Sequence, residues 1–327
     1  MNRFKFAGRE YVRLSSLKPA CQALEHTTHP FDPEFVLESE QVRACLGHDE
    51  TQSHLWAIDF RTLAYPIVKI LENTTPEQLD KANMSATELA QLLWVYRFTH
   101  IPDVVSGHWD EPDPYVTRVV CDDYPYQVEG WPKPIYWRHK HFPAYKGGRP
   151  EKPKTWSLVT QAGYWAAELL GLPVLREPTQ EADDIIAQFA RNRNKLPILS
   201  YTIWTLDTDL LQLVTNEGTP VRWYNVLDYK RYRDAESALT YWQARHKRAI
   251  DNPAKIVDDK VRYGDKSDNI PPKNDLRGII DLWNPAEQPT SDFGWAVESN
   301  HARLSELRKR HHAVAGSLLL SGVSIVL

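Results

Sequence analysis

The sequence has few cysteines, no signal-like beginning and no long apolar run. Its three cysteines, Cys21, Cys45 and Cys121, are far apart and odd in number, so they form neither a disulfide framework nor a CxxC zinc pattern. The opening MNRFKFAGRE lacks the apolar segment of a signal peptide, and no stretch approaches the ~18 apolar residues of a membrane span. We therefore expect a reducing compartment, with the cytoplasm as the default location and no membrane partner.

The bulk composition is that of a folded chain without a strong charge bias. Of the 327 residues, 42% are apolar, which is enough for a substantial core. This length corresponds to one large domain or two modest ones. The net charge of −4 does not by itself indicate nucleic-acid binding, because the distribution of charges matters more than their sum.

Short apolar runs that end in aspartate alternate with helical patterns from about residue 54 onward. The runs are HLWAIDF (54–60), YVTRVVCDD (115–123) and LPILSYTIWTLDTD (196–209), and they are typical of buried parallel strands. Residues 85–100 and 155–171 have helical spacing, and Ser85 with Glu88 predicts a capping box. The alternation predicts an α/β fold, with a mostly parallel central sheet flanked by helices.

The same patterns divide the chain into three parts. Residues 1–53 show little periodicity, and we treat them as an N-terminal extension of unknown role. Residues 54–224 carry the alternating strands and helices of the α/β core. Residues 225–327 are expected to form a C-terminal helical region.

Acidic residues mark the ends of the predicted strands and the starts of the helices that follow. The set is Asp59, Asp122 with Asp123, Glu181, Asp183, Asp184, Asp207, Asp209, Asp265 and Asp268. Strand ends of a parallel sheet gather at one edge, where so many carboxylates would repel one another and raise their own pKa values. Mg²⁺ or Mn²⁺ would relieve that repulsion. Taken singly, each acid could equally be a turn or cap residue, and EADD could simply complement a helix dipole.

Three motifs occur in a specific order: EADDIIA (181–187), LDTDLLQLV (206–214) and GDKSDNIP (264–271). Together they resemble the 5′-nuclease superfamily, which includes phage flap endonucleases and the 5′-to-3′ exonuclease domains of bacterial DNA polymerase I. Upstream, IDFRTLAY, VVCDD and WRHKHFPAYKGGR resemble further segments of that family in the same order. The resemblance covers roughly residues 54–272.

The resemblance implies a two-metal-ion phosphodiesterase that uses Mg²⁺ or Mn²⁺. Its implied substrates are 5′ flaps, nicks and free 5′ ends of DNA, with RNA primers or RNA–DNA hybrids left open. The implied ligands of one ion are Asp59, Asp122, Glu181 and Asp183; those of the other are Asp207, Asp209, Asp265 and Asp268. Asp184 would add charge near both ions, and Asp123 would be a neighbour on the other face of the strand. The division of ligands between the ions stays open.

A basic segment with interspersed aromatic rings runs from Arg138 to Lys154. Cations for phosphates and rings for stacking suit a single-stranded or frayed 5′ end, although a solvated proline-rich loop has the same composition. The resemblance implies that Lys146 and Arg149 grip the scissile phosphate, acting with Asp183 and Asp209 as catalytic residues. They would lie at the base of a helical arch over residues 136–170, and Arg138 and Lys140 would also contact DNA.

The second half of GDKSDNIPPKNDLRG (264–278) departs from the family pattern. There the family has a glycine-rich hairpin, part of a helix–hairpin–helix element that holds a duplex phosphate, often with K⁺. Pro271 and Pro272 supply no amide hydrogen, and Gly278 alone offers backbone freedom. A shifted hairpin at 276–279 is one possibility, with Lys273 and Arg277 as substitute phosphate contacts. A K⁺ ion at this element is doubtful.

Two other functions remain open from the sequence. A DNA-junction binding protein without catalysis could retain the same fold, although every matched acid is present. A PIN-type ribonuclease has a similar acidic sheet, but such domains are usually shorter and lack GDKSDNIP. For all three functions we expect the protein to be a monomer.

Overall fold

The computed structural model describes residues 3–6, 9–12, 53–106, 116–169, 172–196, 198–225, 230–232 and 234–287. The first two of these ranges form an antiparallel pair, β1 (Arg3–Phe6) and β2 (Arg9–Val12). Cys21, Cys45 and the basic run at 307–312 lie outside the described residues. Cys121 is a buried free thiol.

A six-stranded sheet forms the centre of the described structure. Its strands are β3 (Ser53–Asp59), β4 (Val116–Cys121), β5 (Val174–Leu175), β6 (Ile198–Thr205), β7 (Val221–Asn225) and β8 (Lys230–Tyr232). The strand order is β5-β4-β3-β6-β7-β8. Every pairing from β5 to β7 is parallel, and β8 is antiparallel to β7. The predicted mostly parallel sheet is confirmed.

The α-helices of the described residues lie between and after these strands. They are α1 (Phe60–Glu72), α2 (Pro76–Ala82), α3 (Ala86–Ser106), α4 (Arg138–His141), α5 (Trp156–Leu169), α6 (Ala182–Asn192), α7 (Ala235–His246), α8 (Ile256–Tyr263) and α9 (Arg277–Ile280). The predicted capping box before α3 is present: the Ser85 amide donates to Glu88 Oε2 at 2.7 Å, and the Glu88 amide donates to Ser85 Oγ at 3.2 Å. None of the described helices combines the length and the apolarity that crossing a bilayer requires.

The two faces of the sheet carry separate hydrophobic cores. Because successive side chains of a strand point to opposite faces, Trp56 and Ile58 of β3 pack in the core formed with α1, α3 and α5. Leu55 and Ala57 pack in the core formed with α6. β3 is thus buried on both faces, as its continuous apolar sequence predicts.

Helix α5 is part of the first core. Gly163 of this helix allows close approach, since a Cβ there would lie 2.6 Å from atoms of Phe60 and Trp94. Phe60 stacks between the rings of Trp94 and Tyr164, with centroid separations of 4.5 and 5.0 Å. The helix predicted to complete an arch is therefore anchored against α1 and α3.

We expect Gly163→Ala to lower the free energy of unfolding by about 1–3 kcal/mol, because the added methyl overpacks two stacked rings. This outweighs the gain of roughly 1 kcal/mol in helix propensity. Gly148→Ala is the control, because a Cβ at Gly148 meets no atom within 4 Å. Urea unfolding of both variants measures the effect, and equal stability of the two would contradict this packing.

Candidate active site

The acids predicted to converge do so because each follows a strand or begins a helix at the same sheet edge. Asp59 ends β3 and caps α1, and Glu181 caps α6. Asp207 follows β6 and caps the 3-10 helix Thr208–Leu213, accepting a hydrogen bond from the Asp209 amide at 2.9 Å. The carboxyl edge of a parallel sheet thus collects side chains that are far apart in sequence.

Asp59 and Asp183 make no ion pair among the described residues. Asp59 is 4% exposed and accepts hydrogen bonds from Thr205 Oγ1 at 2.7 Å and from Thr62. Burial outweighs these bonds and raises the pKa of Asp59 to about 6. The Asp183 side chain makes no hydrogen bond among the described residues, and burial, with Asp207 and Asp59 nearby, raises its pKa well above the usual range.

Glu181 and Asp184 share one buried arginine. Arg138 is 3% exposed, and it donates to Glu181 Oε2 at 2.7 Å and to both oxygens of Asp184 at 2.7 and 2.8 Å. Its Nε donates to the Ile279 carbonyl at 2.9 Å, and Trp137 Nε1 also donates to Asp184, at 3.0 Å. Arg138 was predicted to contact DNA, but its donors are used inside the protein. It is an internal support of two carboxylates.

Asp122 and Asp123 differ in the partners that hold them. Asp122 is fully buried and is held by Arg61, Tyr164 and Arg176. Asp123 accepts a hydrogen bond from the Ala182 amide, at the start of α6, at 2.9 Å. Burial opposes ionisation of Asp123, yet the nearby Lys146 and Arg61 lower its pKa. Asp123 thus contacts the first residue of α6, whereas the sequence predicted only a neighbour on the other face of the strand.

A second acidic group consists of Asp209, Asp265 and Asp268, which offer carboxylate oxygens within 4.8 Å of one another. Lys260 forms ion pairs with Asp209 and Asp265. Arg149 Nη2 lies 2.6 Å from Asp268 Oδ1. Burial raises the pKa of Asp209 to about 8, even though Lys260 opposes the shift. Burial opposes ionisation of Asp265, but Lys260 lowers its pKa to about 2.

Sequence analysis missed Lys260, which is 5% exposed and central to this group. It lies four residues after buried Ile256 on α8, so both fall on the same helix face. A lysine on an apolar face, five residues before Asp265, is the signal that could have identified it. Arg61, two residues after Asp59, was also missed.

Lys146 and Arg149 connect the basic segment to two acidic groups. The first group consists of Asp59, Asp123, Glu181 and Asp183, and the second is the one just described. Lys146 pairs with Glu181, and its amide donates to the Asp268 carbonyl at 2.9 Å. Its φ of 55° lies in the left-handed region. Arg149 pairs with Asp268 and donates from Nε to the Ser267 carbonyl at 3.2 Å. Two catalytic candidates therefore lie against carboxylates of both groups.

The remaining predicted DNA contacts are exposed. Lys140 lies 3.5 Å from Glu287, and Arg277 pairs with Asp258. Lys273 is exposed in the turn before α9, with a φ of 54°. Residues 276–279, where a shifted hairpin was possible, instead form the start of α9. The Asn274 amide nitrogen, Nδ2, fastens this turn to the end of α8 by donating to the carbonyls of residues 260, 261 and 271 at 3.1, 3.2 and 2.8 Å.

The turn that carries Asp265 and Asp268 depends on Gly264. Its φ of 73° favours glycine, and a Cβ would lie 2.5 Å from the Ile270 carbonyl oxygen. Reciprocal backbone hydrogen bonds between Asp265 and Ile270, at 2.9 and 2.7 Å, close the turn. This geometry directs two carboxylates toward Lys260 and Arg149 from one short segment.

The oxygen donors fit hard divalent cations. Asp183 and Asp59 offer carboxylates with raised pKa values, and the second group offers three oxygens at a separation suited to one ion. Mg²⁺ and Mn²⁺ prefer such ligands. Asp122 and Asp184 are bound by arginines, as Glu181 and Asp268 are.

Comparison with known proteins gives a consistent result. The family described as 5′-3′ exonuclease, N-terminal resolvase-like domain, matches residues 126–242. A 5′-3′ exonuclease of Aquifex aeolicus is 32% identical over 134 residues, covering 41% of this chain and 42% of the relative. One from Halalkalibacterium halodurans is 30% identical over 191 residues, covering 58% of each protein. The chain thus spans about half the length of these relatives.

Two further similarities are more distant. Thermostable DNA polymerase I of Thermus aquaticus is 28% identical over 155 residues, covering 46% of this chain and 17% of the polymerase. The crystal structure of the T5 D15 protein co-crystallised with metal ions is 17% identical, with a TM-score of 0.46, covering 80% of this chain and 88% of that one. On the matched sequence, with its acidic motifs in order, the chain is similar to 5′-3′ exonucleases over residues 126–242.

Proposed function

We propose that the protein is a divalent-metal-dependent 5′ nuclease that hydrolyses phosphodiester bonds at 5′ flaps, nicks or free 5′ ends of DNA. The observation that carries the proposal is the contact of Lys146 and Arg149 with carboxylates of the two acidic groups. Phosphate-binding cations and metal-binding oxygens thereby meet in one place. We further propose that it acts as a cytoplasmic monomer.

Each of the two acidic groups would bind one metal ion. Asp59 and Asp183, assisted by Glu181 and Asp123, would hold one Mg²⁺ or Mn²⁺ ion. The second group with Asp207 would hold the other. Bound there, two such ions would activate a water and stabilise the leaving oxygen.

The chain's own cations supply the remaining stabilisation. Lys146 and Arg149 now hold carboxylates, and the same donors can turn to the non-bridging oxygens of a bound phosphate. Positive groups placed where charge develops stabilise the transition state more than the ground state. Arg138 holds Glu181 and Asp184 in place through its buried hydrogen bonds, so its contribution is positional.

The test of the proposal is cleavage of 5′-labelled flap and nicked duplexes with Mg²⁺ or Mn²⁺. We expect Asp183→Asn to lower kcat/KM at least about 100-fold, because it removes a carboxylate that makes no hydrogen bond or ion pair among the described residues. Asp80→Asn, an exposed aspartate on α2, is the control. Product lengths define the balance of exonuclease and flap cleavage, and RNA flaps of the same sequence test the ribonuclease alternative. Absence of cleavage by the unaltered protein with either ion overturns the proposal.

Lys146→Ala should slow single-turnover cleavage by about 10²–10³-fold, the usual effect of losing one group that stabilises developing charge. DNA affinity should change much less, because the rest of the basic segment remains. Lys81→Ala, at an exposed position on α2, is the control. A large loss of affinity with an unchanged single-turnover rate would show instead that Lys146 only binds the substrate.

The raised carboxyl pKa values predict a pH-dependent response to metal. Asp59, with a pKa of about 6, and Asp209, with about 8, bind protons more tightly when folded than at their ordinary value of 3.8. The free energy of unfolding of the metal-free protein therefore falls as pH rises from the ordinary value of 3.8 through the raised values of about 6 and about 8. Asp265 has a lowered pKa of about 2, so its contribution to stability is lost only as pH falls from 3.8 toward that value.

A divalent cation compensates the charge of these buried carboxylates, so Mg²⁺ should raise Tm more at about pH 8 than at about pH 5. Thermal unfolding with Mg²⁺ or EDTA measures both increments. In Asp183→Asn the increment at the higher pH should shrink. Equal increments at the two pH values in the unaltered protein would contradict the assignment of these acids to metal binding.

A further inference from the structure

We propose that the cavity beside the second acidic group binds the nucleotide next to the scissile phosphate, with Arg245 and Lys266 holding its phosphate and His246 contacting its nucleoside. The proposal rests on the proposed nuclease function and adds a substrate subsite to it. None of these three residues belongs to the acidic groups or to the pair formed by Lys146 and Arg149.

The size and lining of the cavity suit such a ligand. Its volume is about 580 Å³, within the ~300–1,000 Å³ range of small-molecule sites. Asp207, Asp209 and Asp265 line it from the acidic groups, and Arg245, His246 and Lys266 line it from the end of α7 and the turn after Asp265. Consecutive nucleotides of a strand rise by about 3.4 Å in a duplex. A phosphate at the acids therefore brings its neighbour into this space.

The cations of the cavity differ in whether they already have acidic partners. Arg149 and Lys260 are paired with acids of the second group, and Arg248 lies 3.0 Å from Asp259. Arg245, in contrast, donates to the Tyr241 hydroxyl at 3.3 Å and makes no ion pair among the described residues. The Lys266 side chain likewise has no partner within the described part of the chain. These two exposed cations keep their donors available for a phosphate.

His246 provides a flat surface in the same cavity. Its ring stacks on buried Trp242, with centroids 3.9 Å apart and an interplanar angle of 23°. Burial, then Arg248 and Arg245, lower the pKa of His246 to about 4, so the ring is neutral at physiological pH. Rings presented in this way stack with bases whatever their sequence. The ring of His246 thus suits the base of a nucleotide, and Arg245 and Lys266 suit its phosphate.

The test measures DNA binding in EDTA, so that binding is separated from cleavage. Flap duplexes carry one uncharged methylphosphonate, moved through the three linkages on each side of the cleavage site. The double variant Arg245→Ala/Lys266→Ala should bind about 10-fold more weakly, and its salt dependence should fall by one to two phosphate contacts, about 0.9 in log–log slope for each. Lys69→Ala/Lys195→Ala removes the same charge from exposed positions outside the cavity and should bind like the unaltered protein.

The methylphosphonate scan locates the contact. At one linkage next to the cleavage site, the substitution should weaken binding of the unaltered and control proteins but have no further effect on the double variant. The same sensitivity of all three proteins at every linkage overturns the phosphate subsite. His246→Ala should lose about 5-fold or more in affinity while His246→Phe retains it, and equal affinities of these two variants overturn the stacking contact.

Cleavage assays keep the two proposals apart. If the unaltered protein cleaves DNA in Mg²⁺ but the scan shows no linkage specific to the double variant, the subsite fails and the nuclease proposal stands. If the scan identifies such a linkage but no cleavage occurs with Mg²⁺ or Mn²⁺, the subsite stands as part of a binding protein and the nuclease proposal fails.

Discussion

The cost of ionising buried carboxylates is the constraint on which this site depends. A parallel sheet brings the ends of its strands together, and here those ends carry acids that burial makes costly to ionise. The described structure meets that cost with cations supplied from other segments: Arg138, Lys146 and Arg149 from the basic segment, and Lys260 from α8. Neutralisation is therefore also what connects the parts of the molecule.

Arg138 shows how this charge balance organises the fold. Its guanidinium joins two carboxylates at the start of α6 to a backbone carbonyl of α9. A buried ion pair contributes little net stability when compared with apolar packing, but removing one partner leaves an uncompensated charge. The arginine therefore links α9 to the start of α6.

Much of the site could be predicted because its signals are local. Apolar runs ending in aspartate, the EADD helix start and the GDKSDNIP turn each specify a backbone shape that the structure reproduces. The position of Arg61 could not be predicted from a local pattern, because its partner Asp122 follows another strand. Lys260 had a local signal in its apolar helix face, but its pairing with distant Asp209 could not be predicted from that signal. The same applies to Asp122 and Asp123, since the arginines that decide between them come from α1 and from the segment after β5.

The second half of GDKSDNIPPKNDLRG shows a different limit. Its prolines supply no amide hydrogen, but they do not predict which contacts hold the segment. In the structure the side-chain amide of Asn274 donates to three backbone carbonyls there. Composition alone does not reveal such a contact.

The backbone link between the basic segment and the GDKSDNIP turn has a consequence for how this protein can change. The Lys146 amide donates to the Asp268 carbonyl at 2.9 Å, and Asn269 Nδ2 donates to the Ala144 carbonyl at 2.8 Å. Residues 144–149 and 264–270, more than a hundred positions apart in the chain, are thus joined by hydrogen bonds in both directions. A basic segment transplanted from a relative has to bring its own matching turn, so the two are expected to be exchanged together or not at all.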